Sequence, residues 1–160
     1  GAQSGMHILD ITERNTPELL STYQHINSCD PVIVDGDIAF VTLRSGNTCQ
    51  EWSDQLEVID ISDLRNPRQL HVFPMTNPHG LSKDGDALFI CDGRDGLKVF
   101  DASDLGEIDR RLLAHDQGIQ AYDIITSNDI AMLIGDDGLR QYDYSDLHHC
   151  LSVVSSGVRP

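Results

Sequence analysis

Three residues in predicted loops at the ends of strands have side chains suited to general acid–base chemistry: His79, Asp30 and Asp92. An imidazole takes or gives a proton near neutral pH, and a carboxylate can orient it or hold a cation. That combination would suit a hydrolase or a lyase. The sequence contains no G-x-S-x-G elbow, no H-E-x-x-H pair and no glycine-rich phosphate loop. Catalysis is therefore an alternative to binding, and we assign no catalytic residue.

Short glycine-containing loops carry four carboxylates, at Asp92, Asp95, Asp136 and Asp137. Calcium takes six to eight oxygen ligands, and these loops lack the ligand spacing of an EF-hand. Carboxylates from neighbouring loops could still converge on one Ca²⁺, which the net charge of −15 would help. Ordinary turn chemistry explains the same residues. We therefore predict no cofactor and no metal, with Ca²⁺ as the alternative.

Two of the four cysteines, Cys29 and Cys49, fall in loops that the repeat pattern described below places on one face of the molecule. We predict a disulfide between them, which would add about 3 kcal/mol by chain entropy and needs an oxidising compartment. Two free thiols are the alternative. Cys91 and Cys150 fall in predicted strands and are expected to act as small core residues. The wide spacing of the cysteines does not fit a zinc site.

The elements that must position these groups are visible as an internal repeat. Four segments have a short apolar run with Asp in fourth place, and the Asp residues are separated by 50, 41 and 42 positions. The segments are HILDI (His7 to Ile11), EVIDI (Glu57 to Ile61), KVFDA (Lys98 to Ala102) and RQYDY (Arg140 to Tyr144). Because this Asp recurs in each repeat, we predict that it bonds to the following Ser turn and is structural.

A hairpin-type turn between two apolar runs precedes each of the last three segments, at 35–37, 84–86 and 127–129. The resulting unit is a four-stranded antiparallel meander of about 41 residues, which matches a propeller blade. We predict an all-β chain, a single partial β-propeller over residues 1–160, with about three and a half blades. The blade bounds are 5–23, 24–73, 74–115 and 116–155. An inserted loop, Arg44 to Gln55, explains the long first step.

Aligning the turns places Asp30, His79 and Tyr122 at equivalent positions before the first strand of each blade. First strands of a propeller line its central channel, so these side chains would ring the channel mouth. Ligand sites gather where such groups converge in a concavity. The alternative is that they cap strand ends and contact only water.

Loops on the same face add three further ligand-binding candidates, namely Arg44, Trp52 and Asp92. Trp52, the only tryptophan, lies in the inserted loop and could anchor a protein partner or a sugar. It could equally fold back over the predicted disulfide as a local core.

The charge balance excludes several partners. Acidic residues outnumber basic ones 26 to 11, whereas a nucleic-acid surface needs clustered Lys and Arg. Docking on anionic lipid is disfavoured for the same reason. No apolar run approaches the roughly 20 residues of a membrane-spanning helix. The composition, 39% hydrophobic, is sufficient for a globular core.

The four repeat segments resemble the LVIVD-repeat family, bacterial and archaeal surface proteins predicted to be β-propellers. HILDI and EVIDI fit that repeat well, KVFDA fits fairly, and RQYDY departs most. The resemblance covers about Gly5 to Val154. It implies an extracellular or cell-surface protein, lipid-anchored in its full-length form, of which this chain would be the C-terminal part. The family has no settled reaction, so the resemblance transfers no catalytic residue.

These observations favour a non-enzymatic, secreted or cell-surface binding and scaffolding module that recognises a protein or a glycan. A propeller hydrolase or lyase acting at the channel mouth, with His79 as acid–base, is one alternative, and carbohydrate binding through Trp52 is another. The first half blade lacks two inner strands, and open sheet edges invite pairing. We therefore expect self-association that completes the propeller, since two copies contain the strands of seven blades.

Overall fold

The computed structural model describes residues 5–24, 31–45, 53–147 and 152–156. Within these ranges the chain forms fourteen β-strands and one 3-10 turn, Ile108–Arg110. The prediction of an all-β chain is therefore confirmed for the part that the structure describes.

The strands form one hairpin and three four-stranded sheets, and all neighbouring strands are antiparallel and consecutive in the chain. The hairpin consists of β1 (Met6–Asp10) and β2 (Glu18–Tyr23). The second sheet consists of β3 (Val32–Asp35), β4 (Ile38–Leu43), β5 (Gln55–Asp60) and β6 (Arg68–Pro74). The third sheet consists of β7 (Leu81–Asp84), β8 (Ala87–Cys91), β9 (Leu97–Asp101) and β10 (Leu112–Asp116). The fourth sheet consists of β11 (Ala121–Ser127), β12 (Ile130–Gly135), β13 (Gly138–Asp143) and β14 (Ser152–Ser156).

The predicted tight turns join the first two strands of each four-stranded sheet. Gly36 and Gly85 have φ of 57° and 52°, and the third turn uses Asn128 and Asp129 at 51° and 61°. Two-residue hairpin turns require this left-handed region, which Gly, Asn and Asp tolerate better than other residues. The turn chemistry thus sets the register of each meander.

The repeated Asp holds the turn that follows its strand, as the repeat predicts. Asp60 Oδ1 accepts hydrogen bonds from Ser62 N at 2.9 Å and from Ser62 Oγ at 2.6 Å. The same backbone bond joins Asp10 to Thr12, Asp101 to Ser103 and Asp143 to Ser145. These carboxylates are engaged within their own turns, so they close each repeat locally.

Consecutive sheets pack face to face through apolar side chains. Alternate residues of a strand point to opposite faces, so adjacent residues of β5 serve different interfaces. Val58 packs toward the third sheet, where it meets Leu88 and Phe100. Ile59 packs in the opposite direction, toward Ile8 of the hairpin.

The third and fourth sheets pack in the same way, through a core formed by residues of both sheets. It contains Phe89, Val99, Leu133 and Tyr142, together with Cys91, which is fully buried as predicted. Within the described ranges no helix is long and apolar enough to cross a membrane.

Candidate functional site

Three consecutive sheets each contribute one side chain to a cluster at the ends of their strands. Arg44 follows β4 of the second sheet, His79 precedes β7 of the third, and Tyr122 lies in β11 of the fourth. Arg44 Nη1 lies 3.0 Å from His79 Nδ1 and 2.9 Å from Nε2. The rings of His79 and Tyr122 are 5.6 Å apart, centroid to centroid. We call these three residues, with Asn77, the rim cluster.

Hydrogen bonds from the neighbouring sheets fix the backbone at His79. Its N–H donates to the carbonyl of Cys91 at 2.7 Å, within the third sheet. Its carbonyl accepts a bond from the Thr42 hydroxyl at 2.6 Å, across to the second sheet. The next residue, Gly80, donates its N–H to the carbonyl of Tyr122 at 2.8 Å, across to the fourth. The rim cluster therefore lies where hydrogen bonds to the backbone of His79 and Gly80 join three sheets.

At Gly80 the backbone of the third sheet lies directly against Asp123 of the fourth sheet. A Cβ at this position would collide with the backbone and carboxylate of Asp123 in β11. Only glycine lets the start of the third sheet come this close to the fourth. The proximity of His79 to Tyr122 depends on that approach.

The imidazole of His79 is half-buried and is held from two sides. Its Nε2 lies 3.0 Å from Asn77 Oδ1, a distance suited to a hydrogen bond. Burial lowers the pKa of His79, and the Arg44 guanidinium lowers it further, while the charge of Asp92 acts in the opposite direction. The net direction is downward, which favours the neutral form of the imidazole.

The carboxylate of Asp92 is buried and occupied by structural partners. It accepts hydrogen bonds from the backbone N–H of Thr76 at 3.1 Å and of Asn77 at 2.7 Å. Lys98 Nζ lies 2.5 Å from its Oδ2. The sequence suggested that Asp92 orients His79 or holds a cation, but its oxygens bind the turn that carries Asn77. Asp92 therefore positions the rim cluster through that turn.

Lys98 joins Asp92 to a second carboxylate, Asp95, which is also 2.5 Å away. Burial alone would lower the pKa of Lys98, but its bonds to the two carboxylates outweigh this and raise it. Lys98 correspondingly lowers the pKa of Asp95. Thr76 Oγ1 also donates to Asp95, at 3.1 Å. These ion pairs and hydrogen bonds therefore join the loop after β8 to the loop before β7.

The other loop carboxylates that could bind calcium have partners of their own. Asp137 Oδ2 lies 2.6 Å from Arg140 Nη2, and Asp136 Oδ1 accepts the N–H of Gln120 at 3.3 Å. Across residues 5–24, 31–45 and 53–147, no three His, Cys, Asp or Glu side chains are grouped closely enough to hold a metal ion.

Four residues named from the sequence lie outside the described residues: Asp30, Trp52, Cys29 and Cys49. The disulfide and the Trp52 anchor therefore stay predictions, and Cys150 is outside as well. Cys91 is described, and burial raises the pKa of its thiol. A buried thiol of this kind is a poor nucleophile.

Two members of this region, Thr42 and Asn77, were not predicted from the sequence. Thr42 is a fully buried hydroxyl within the apolar run of β4, and a buried hydroxyl needs a hydrogen-bond partner. A hydroxyl in this apolar run therefore indicates, from the sequence alone, a buried hydrogen bond at Thr42. Asn77 carried no comparable signal, because its position depends on Asp92, fifteen residues later in the chain.

Comparison with known proteins gives no independent assignment of this site. No family model matches the chain, and no curated protein matches it either.

Proposed function

We propose that this chain is a non-catalytic recognition module of a secreted or cell-surface β-propeller of the LVIVD-repeat type. The observation that carries the proposal is the rim cluster, in which three stacked sheets contribute Arg44, His79 and Tyr122 to one place. A site built across repeats is typical of a ligand-binding surface at the mouth of a concave assembly.

The propeller assignment is supported by the way the sheets stack. Each four-stranded sheet is a meander of about 40 residues, and the hairpin and the three sheets pack face to face in chain order. The first strands of successive sheets also contact one another, β3 with β7 and β7 with β11. Radial repetition of four-stranded sheets produces this arrangement, with first strands nearest the axis.

Binding is favoured over catalysis by the state of the carboxylates near His79. A general acid–base pair needs a carboxylate or another base within reach of the imidazole. Asp92 is fully buried and bonded to Lys98 and to two backbone N–H groups. The contacts of His79 are instead an amide oxygen and a guanidinium.

The ligand that suits the rim cluster best is a neutral glycan. The rings of Tyr122 and His79 offer apolar faces, while the Asn77 amide and Arg44 offer groups that hydrogen-bond to hydroxyls. The chain as a whole carries a net charge of −15. That field repels an acidic ligand as it approaches, so we place neutral sugars ahead of acidic ones. Location at the cell surface rests on the resemblance of the repeats.

A second candidate function, a propeller hydrolase or lyase, is favoured by one observation. The lowered pKa of His79 leaves a neutral imidazole that could act as a general base. In that case turnover of a glycoside or polyuronate substrate would disappear in His79→Ala.

The experiment that tests the proposal is an array of neutral and acidic glycans probed with the labelled chain. We expect binding to a neutral glycan that is lost in Arg44→Ala/Tyr122→Ala. The matched control is Arg68→Ala, which removes an exposed cation paired with Asp60 elsewhere on the second sheet. Recovered glycans should be unchanged in mass. Turnover that requires His79 would replace the proposal with the enzyme, and silence across the array would reject the glycan ligand.

A further inference from the structure

The two ends of the stack of sheets expose apolar faces. On the hairpin, Leu9 is 51% exposed and Ile11 67%. We call these two residues the leading face. On the fourth sheet, an apolar surface groove is lined mainly by Ile125, Met132, Ile134 and Leu139, which we call the trailing face.

The residues equivalent to the leading face are buried in all three later repeats. Leu9 aligns with Ile59, Phe100 and Tyr142 of the later segments, and Ile59 and Tyr142 are fully buried. In those repeats the side chain packs on the sheet that precedes its own. Leu9 is exposed because no described element precedes the hairpin.

The positions of the trailing face follow the same rule in the opposite direction. Leu139 aligns with Leu56 and Leu97, both fully buried against the sheet that follows their own. Leu139 itself is 44% exposed, and Ile134 is 55% exposed. The fourth sheet thus presents the apolar pattern that sheets two and three use to bind their successors.

We propose that the trailing face of one copy of this chain packs on the leading face of a second copy. The contact continues an interface that the chain already forms three times between its own sheets. Each face is one half of that interface, so the two are complementary to each other and not to themselves. Burial of apolar side chains supplies the driving force.

The contact is heterologous, so it closes into a ring or continues as an open chain of copies. A ring of two copies would contain eight sheets, two of them hairpins, which lies within the range of propellers. The proposal concerns contacts between copies and does not depend on the ligand of the rim cluster.

The test measures solution mass by light scattering on a sizing column. We expect the wild-type chain at twice its own mass of 17.7 kDa or more. Ile134→Glu and Leu9→Glu should each run as folded monomers. Every contact in the ring joins one leading face and one trailing face, so a charge placed on either face of the chain disrupts all of the contacts. Leu112→Glu is the control, since Leu112 is similarly exposed but lies on β10 of an internal sheet. It should keep the wild-type mass, and circular dichroism should show native strand content in all variants.

Mixing the two monomeric variants tests the direction of the contact. The Leu9→Glu chain keeps its trailing face and the Ile134→Glu chain keeps its leading face, so an equimolar mixture should form a heterodimer. A monomeric wild-type chain would overturn the proposal. A mixture that stays monomeric, or a Leu9→Glu variant that still self-associates, would overturn it equally. The rim variant Arg44→Ala/Tyr122→Ala should keep the wild-type mass, which separates this test from the binding test.

Discussion

Arg44 Nη1 lies 2.9 Å from His79 Nε2, although the two residues belong to different sheets and are 35 positions apart. The contact brings a guanidinium against an imidazole whose pKa burial already lowers. It links the end of β4 to the start of β7, beside the bond from Thr42 to the His79 carbonyl. The rim cluster therefore forms only when the sheets pack on one another, and its contacts depend on the interface between sheets.

The first prediction concerns the titration of His79. Burial and Arg44 lower its pKa from 6.5, so we expect the ring to stay neutral below the pH at which an exposed histidine is half protonated. Arg44→Ala should move the pKa upward, because it removes a neighbouring positive charge. Nitrogen-detected NMR of the imidazole measures both values. Arg68→Ala is the control and should leave the titration unchanged, whereas equal pKa values in wild type and Arg44→Ala would contradict the contact.

The second prediction concerns the buried ion pair of Asp92 and Lys98. Asp92→Asn removes one of the two carboxylates that pair with Lys98 and weakens the acceptor of the Thr76 and Asn77 N–H groups. We expect a loss of about 2 kcal/mol in the free energy of unfolding. Denaturant titration measures it. The control is Glu107→Gln, which breaks an exposed pair with Arg110 and should cost well under about 1 kcal/mol. Equal effects of the two substitutions would show that Asp92 does not hold its loop.

The third prediction compares two glycines with the same backbone conformation. Gly93 and Gly85 have φ of 58° and 52°, but a Cβ on Gly93 would lie 2.6 Å from Asn77 Oδ1, whereas one on Gly85 would meet nothing. Gly85→Ala should cost about 1 kcal/mol from backbone strain alone. Gly93→Ala should cost more and should also displace Asn77, so His79 resonances should shift only in that variant. Identical spectra around His79 would count against the packing of Gly93 on Asn77.

The fourth prediction concerns Glu57, which is buried between the second sheet and the hairpin. One carboxylate oxygen accepts a bond from Gln55 at 2.9 Å, while Oε2 has no hydrogen-bond partner among the described residues. Burial raises the pKa of Glu57, against weaker opposing effects of its bonds to Gln55 and Tyr23. The folded state therefore takes up a proton more readily than the unfolded chain, whose reference value is 4.5.

It follows that the contribution of Glu57 to the stability of the wild-type chain falls as the pH rises from about 4.5 through the raised value in the folded state. Glu57→Gln cannot ionise, so its stability should exceed that of the wild type by about 1 kcal/mol at pH 7. The two should converge near pH 4. Thermal unfolding across this range measures the difference. A difference that is independent of pH would contradict the burial of an ionised Glu57.

Much of this fold follows from local chemistry, and the strands and turns show why. The tight turns of the meanders carry Gly or Asn at positive φ, and the repeated Asp bonds its own Ser turn within two residues. These signals are short in sequence, so they can be recognised without the fold. The repeat spacing also predicts which strands pair.

The role of Asp92 could not be predicted in the same way. Its sequence neighbourhood, between β8 and β9, is that of an ordinary Asp–Gly turn. Its partners are the backbone of Thr76 and Asn77 and the side chain of Lys98. Those contacts arise only when the loop before the third sheet folds over the loop inside it. The same limit applies to Asn77, which reaches His79 because Asp92 holds its turn.

The most direct test of the rim cluster as a recognition site is the affinity for the neutral glycan that the array ranks first. Biolayer interferometry would compare the wild type, Arg44→Ala/Tyr122→Ala and Arg68→Ala at one salt concentration. We predict that the rim variant binds at least tenfold more weakly, that Arg68→Ala matches the wild type, and that the glycan is recovered intact. Equal affinity in the rim variant, or a glycan cleaved by the wild type, would contradict recognition by this site.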